Sequence, residues 1–117
     1  MAAITQMITQ LARYEMQSGM ETRALEAFKT MAAAVKANEP GCLLYAVTRG
    51  QVNAKEVYVY EIYEDQTAFD DHRRTDHVRE FRAAMEQYLD RSVFNIEMVD
   101  EVAGFCRGAI EEMSGQM

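Results

Sequence analysis

Two neighbouring runs, residues 42–49 and 56–63, constrain this chain most, because each is apolar on both of its alternating faces. In a strand, successive side chains point to opposite sides of the sheet. In the first run Leu43, Tyr45 and Val47 share one side, with Cys42, Leu44 and Ala46 on the other. In the second, Val57, Val59 and Tyr63 oppose Tyr58, Tyr60 and Ile62. A strand carrying large groups on both sides is covered on both sides. Residues 50–55 between them read as a hairpin loop.

The surrounding chain supplies helices for one of those covers. Residues 4–14 place apolar and β-branched groups at every second or third position, which predicts a first strand with a bulge or bend. Ser18 and Glu21 have the spacing of a capping box, so a helix is expected over about residues 20–37. Its buried stripe would be Ala24, Phe28, Met31, Ala32 and Val35, at intervals of three and four. Pro40 and Gly41 then stop the helix and turn the chain. After the hairpin, Asp65 is placed to cap a short helix through His72, and Thr75 to cap a second one running to about Leu89. A final strand is expected over residues 93–102, with Phe94, Ile96 and Met98 on one face. The order β-α-β-β-(α)-α-β is the split βαβ of ferredoxin-like α+β domains, with a four-stranded antiparallel sheet. The domain is expected over residues 1–103, followed by a tail or short helix over residues 104–117.

Only one side of such a sheet can be covered by its own helices. The other would expose an apolar patch of several hundred Å2 or more, which monomers rarely tolerate. A homodimer packed sheet to sheet about a two-fold axis is therefore expected.

At 117 residues and 49% hydrophobic, the chain has the material for one core. A formal charge of -7 argues against nucleic acid or an anionic membrane as partner. No stretch has the roughly twenty apolar residues of a membrane span, and the first ten lack the layout of a signal peptide, so a cytoplasmic location is expected. Cys42 and Cys106 are far apart without zinc-like or redox-like spacing, and both are expected to be free thiols.

One dense polar and aromatic run, Glu61, Tyr63, Asp65, Phe69, His72, Thr75, His77 and Phe81, closes a strand and continues into two helices. His72 and His77 are the candidate proton-transfer groups, since imidazole exchanges protons near neutral pH. Each also has an ordinary reading as a helix-end or surface group. Glu61, in a strand covered on both sides, needs a partner: a catalytic neighbour or a salt bridge to Arg49. Tyr45, Tyr58, Tyr60 and Tyr63 could line a pocket for a flat aromatic ligand or simply pack the sheet. The His72–His77 spacing argues against a zinc site, and the absence of a P-loop or G-x-G-x-x-G leaves nucleotide cofactors unsupported, so no cofactor and no metal are expected.

Three linked stretches, Glu39-Pro40-Gly41-Cys42-Leu43-Leu44-Tyr45, then Tyr60-Glu61-Ile62-Tyr63-Glu64-Asp65, then residues 68–81 from Ala68 to Phe81 with His72, Thr75 and His77, resemble the antibiotic biosynthesis monooxygenase domain. With the order of elements, the resemblance covers about residues 3–102. Tyr63 stands where that family usually has tryptophan, and Val78 where it usually has phenylalanine. The haem-degrading branch would need asparagine, tryptophan and histidine where this chain has Ala12, His72 and Arg82, so haem chemistry is not implied. What the resemblance implies is a dimeric α+β barrel and a cofactor-independent monooxygenase. The substrate would be a small aromatic quinol or polyketide-like phenol, oxidised by molecular oxygen. His72 and His77 would be catalytic, and Tyr45, Glu61, Tyr63, Phe69 and Phe81 would contact substrate. Isomerases of small oxygenated metabolites belong to the same family, and a non-catalytic dimer that binds a small molecule is a third reading.

Overall fold

A computed structural model describes residues 6–108. Its elements run β1 (Ile8–Met16), α1 (Glu21–Asn38), β2 (Cys42–Arg49), β3 (Glu56–Tyr63), α2 (Gln66–His72), α3 (Asp76–Tyr88) and β4 (Leu89–Val99). The four strands form one antiparallel sheet in the order β2-β3-β1-β4. This is the ferredoxin-like arrangement expected from the sequence.

Several boundaries differ from expectation, each for a local reason. α1 begins at Glu21 after Met20, and no side chain caps it. Ser18 instead accepts a hydrogen bond from Lys55 Nζ at 2.9 Å. β1 lies further along than residues 4–14, and its bulge falls between Tyr14 and Met16, opposite β4. A second bulge between Cys42 and Leu44 breaks the alternation of β2. Cys42 pairs with Tyr63 and Tyr45 with Glu61, so Cys42 joins the face of Tyr45 and Val47 rather than that of Leu44 and Ala46. β4 follows α3 directly and ends at Val99 rather than 102. The described part of the tail, residues 104–108, holds no helix, and residues 109–117 lie outside the described chain.

The helices lie on one face of the sheet. There Ala12, Tyr14 and Met16 of β1 and Val57 and Val59 of β3 close against Ala24 and Phe28 of α1 and Leu89. Met31 and Val35 pack with Val78 in a second cluster, flanked by Cys42, Tyr45 and Phe81. Burying one such side chain contributes about 1.5–3 kcal/mol. Tyr14, Phe28 and Phe81 meet edge-on or tilted, with Tyr14–Phe28 centroids 5.3 Å apart and Phe28–Phe81 5.0 Å.

The opposite face, free of helices, carries Leu11, Leu44, Ala46, Tyr58, Tyr60 and Ile62, paired across β1, β3 and β2. The segment after β4 reaches it through Glu101, whose carboxylate accepts from Thr9 Oγ1 and Tyr60 OH, both at 3.0 Å. On the helix side, Phe94, Ile96 and Met98 of β4 continue the rows of Tyr14, Ala12 and Gln10, yet they are 44–51% exposed because they extend past the helices. Among the described residues, no helix is long and apolar enough to cross a membrane.

Candidate active site

Along β3 the inward row changes character at midpoint. Val57 and Val59 are apolar, whereas the next two inward residues, Glu61 and Tyr63, are polar and equally buried. The same step occurs beside it on β1, where Gln10 follows Ala12 in register with Glu61. Glu61 is only 3% exposed. Its carboxylate accepts from Tyr63 OH at 2.6 Å and from Gln10 Nε2 at 3.1 Å. Burial pushes its pKa up, against the opposing pull of the Tyr63 hydrogen bond and of His72.

Three turns bring the remaining groups over that carboxylate. α1 closes with the Glu39 amide donating to Val35 O at 2.9 Å, and the turn through Pro40 and Gly41 returns at Cys42 N to Glu39 O, 3.0 Å. Gly41 is needed there because a Cβ would sit 2.6 Å from Ala68 Cβ and 3.1 Å from Glu64 Oε1. Asp65 caps α2 by accepting from Ala68 N at 2.8 Å, which sets His72 in the last turn. Thr75 then ties the two helices. Its hydroxyl donates to His72 O at 2.8 Å and accepts from Val78 N at 3.3 Å. The break in the helix swings His77 back towards His72, with ring centroids 6.4 Å apart.

The result is a small buried constellation. His72 Nδ1 lies 2.8 and 3.0 Å from the two oxygens of Glu39, and His77 Nε2 bonds the Glu39 Oε2 atom. The other nitrogen of His72, Nε2, is 3.7 Å from Glu61 Oε1. One imidazole is thus held between two carboxylates, all with side chains 9% exposed or less, while His77 is 15% exposed. Tyr63 supports His72 from the side, at 5.1 Å between rings, and Phe69 meets Tyr63 edge-on at 5.3 Å. Tyr45 lies 6.4 Å from the His72 ring. Burial, reinforced by the negative charge of Glu61, holds the phenols of Tyr45 and Tyr63 strongly protonated. Cys42, beside Glu39 and Glu61, is likewise pushed up to about 12, mainly by burial.

His72, His77, Glu61, Tyr63, Tyr45 and Phe69 therefore come together. Phe81 does not lie with them in the same way, since its ring packs on Tyr14 and Phe28 in the apolar core. Tyr58 and Tyr60 point to the helix-free face, so the hairpin tyrosines divide between two sides. Arg49 is not the partner of Glu61, because its Nε donates to Ala54 O at 2.6 Å. The residue that sequence reasoning does not single out is Glu39, which enters there only at the head of the stretch that opens the second strand. Glu39, His72 and His77 place ligand-type atoms within 4.8 Å of one another.

A hollow of about 700 Å3 lies beside this cluster, between α1 and the edge strand β2. Leu25, Ala32, Leu43 and Val47 give it apolar walls, with Lys29 and Arg49 also lining it. Val35, Cys42 and Tyr45 line it as well, and Tyr45 lies against His72, so these residues separate hollow from cluster. The chemistry and the space are adjacent rather than coincident.

An antiparallel ferredoxin-like sheet with a buried His–carboxylate cluster where strand β3 passes into α2 defines a small α+β protein with a converging polar cluster beneath its helices. Residues 7–84 match the family pattern described as antibiotic biosynthesis monooxygenase, and the chain belongs to that family. A solved structure described as a candidate antibiotic biosynthesis monooxygenase, from Caulobacter crescentus CB15, is similar at 33% identity and a TM-score of 0.78, over 86% of this chain and 93% of that one. Proteins from Pseudomonas aeruginosa, at 20% identity and a TM-score of 0.77 over 87% of this chain and all of that one, and from Mycobacterium tuberculosis, at 19% and 0.75 over 84% and 97%, share the fold. No functionally curated protein matches the chain in sequence.

Proposed function

We propose that this protein is a cofactor-independent monooxygenase for a small quinol or phenol, with His72 as the base. The observation that carries the reading is the buried imidazole of His72, fixed at Nδ1 by Glu39 and facing Glu61 through Nε2. With its Nδ1 proton donated to Glu39, the ring presents a lone pair at Nε2, the arrangement of an oriented general base. An aromatic substrate would enter from the hollow, with Tyr45, which separates hollow from cluster, turning aside so that the phenol reaches Nε2 of His72, and Tyr63 and Phe69 would buttress the histidine. Loss of the phenolic proton gives an electron-rich anion that reduces oxygen directly. For a quinol, one oxygen atom enters the ring and the other leaves as water, giving a hydroxyquinone, so the substrate supplies all the electrons.

Purified protein is expected to consume oxygen with some member of a quinol and anthrone panel, and His72→Ala to lower kcat about 10^2–10^4-fold. Absence of oxygen uptake across the panel would remove the reading. Two carboxylates flanking one imidazole also suit proton transfer between carbons of a small oxygenated metabolite. Turnover that persists without oxygen would establish that isomerase reading instead.

The working unit in this proposal is a homodimer closed across the helix-free face, where Leu11, Tyr60 and Ala46 pair in one row. An interface of that kind commonly buries about 1,600 Å2 in total. Light scattering at about 10 µM, a concentration at which interfaces of this class with submicromolar Kd stay closed, is expected to give twice the 13.4 kDa chain mass. A 13.4 kDa particle would refute the dimer.

A further inference from the structure

We propose that Glu39, His72 and His77 form a binding site for one divalent first-row ion of the zinc type. The three groups come from three different elements, the end of α1, the last turn of α2 and the first turn of α3, and converge on one point. Two imidazole nitrogens and a carboxylate are a donor set suited to borderline ions such as Zn2+, Co2+ or Ni2+. Their atoms lie within 4.8 Å of one another. An ion bonded at about 2.0–2.2 Å to each needs only about 1 Å of side-chain adjustment to be accommodated.

The surroundings of His72 favour an ion over a simple hydrogen-bonded group. A metal-bound histidine ordinarily directs its second nitrogen to a carboxylate or carbonyl, which fixes the ring and strengthens it as a ligand. Here Nε2 of His72 faces Glu61 at 3.7 Å, and Glu61 is itself held by Tyr63 and Gln10. Spacing along a single helix would argue against His72 and His77 as co-ligands, but the Thr75 turn puts them on two helices. His77, the more exposed of the two, marks the side open to a fourth ligand such as water. An ion at this position takes Nδ1 of His72 and the Glu39 carboxylate, which the general-base role proposed for His72 needs in their metal-free form. Occupation by zinc would therefore silence that chemistry, but its binding is measured without any substrate.

The chain has two histidines in all, so tag-free protein isolates the site. After chelator treatment, calorimetric titration with ZnCl2 is expected to show one ion per chain, and Co2+ to give the visible absorption of a four- or five-coordinate complex. His77→Gln and Glu39→Gln are expected to weaken zinc binding more than about 100-fold, and Glu61→Gln, which touches no ion, about 10–100-fold. Circular dichroism identifies any variant that has lost its fold. The thermal midpoint of the parent protein is expected to rise with zinc while that of His77→Gln stays fixed. No binding at about 100 µM zinc, roughly a thousand times weaker than structural zinc sites bind, overturns the site. Binding that neither His77→Gln nor Glu39→Gln alters overturns it equally, since the ion would then sit elsewhere on the acidic surface.

Discussion

The helix-covered side of the sheet has two ends built on opposite principles. At one, Tyr14, Met16, Phe28, Val57 and Leu89 exclude water through apolar contact alone. At the other, a few residues further along β1 and β3 and at the ends of α1 and α2, Glu61, Tyr63 and His72 are buried and Gln10 and Glu39 half-buried, and they satisfy one another by hydrogen bonds. No buried side-chain polar atom among the described residues lacks a partner. The apolar end gains stability from area. The polar end gains little net stability, since each bond made replaces one to water, and serves to hold an imidazole in a fixed orientation.

The sharpest way to test that contrast is to truncate one residue at each end. Phe28→Ala, which leaves a cavity beneath Tyr14 and Phe81, is expected to cost about 3–5 kcal/mol in urea denaturation. A loss under about 1 kcal/mol would mean that the apolar end tolerates collapse and is not the main source of stability.

Glu61→Gln should do far less at the polar end, about 1 kcal/mol or less in either direction, because the amide oxygen still accepts from Tyr63 and Gln10 can reverse its own amide. Its signature is a pH slope. The carboxyl faces Tyr63, Gln10, His72 and Glu39, and burial raises its folded-state proton affinity. The folded chain therefore keeps this proton where the unfolded chain has lost it. The contribution of Glu61 is full below the unfolded value of about 4.3 and is lost as pH rises through the higher folded value. Metal-free parent protein should lose stability over that interval, and the glutamine variant should lose less. Coincident slopes would show that the Glu61 carboxyl does not hold its proton through burial.

The two ends also differ in how far the sequence revealed them. The stripe of Ala24, Phe28, Met31 and Val35 recurs every three or four residues, and the alternation of β3 is regular, so periodicity located the apolar end directly. The polar end has no period. Glu39 reaches His72 across 33 residues and His77 across 38, and no local pattern joins them. The clue available was compositional, an acidic residue before the Pro40–Gly41 turn together with two histidines around a capped helix start. Simple alternation puts Cys42 on the wrong face because the bulge between Cys42 and Leu44 shifts the register by one residue, and no glycine or proline lies within residues 42–44 to mark it. Tyr63, His72 and Phe69 were legible because they follow one another at the close of a strand and the start of a helix.

The smallest effects lie in the caps, and they separate the ends again. Ser18 and Thr75 both stand where a sequence reading places an N-cap, one near the apolar end and one at the polar end. Only Thr75 fills the role, accepting from Val78 N while donating to His72 O. Ser18 precedes an uncapped start at Met20 and meets Lys55 instead. Thr75→Ala is therefore expected to cost about 1 kcal/mol, the usual worth of a cap, and to loosen the turn that brings the two histidines together. Thr75→Ser should restore most of it. Ser18→Ala should stay within about 0.5 kcal/mol of the parent, as surface changes generally do. Equal losses at the two positions, read from chemical denaturation, would place a working cap at Ser18 and return α1 to the capping box its sequence suggests. Unequal losses in the expected order would show that the polar end is tied together by local hydrogen bonds that the apolar end does without.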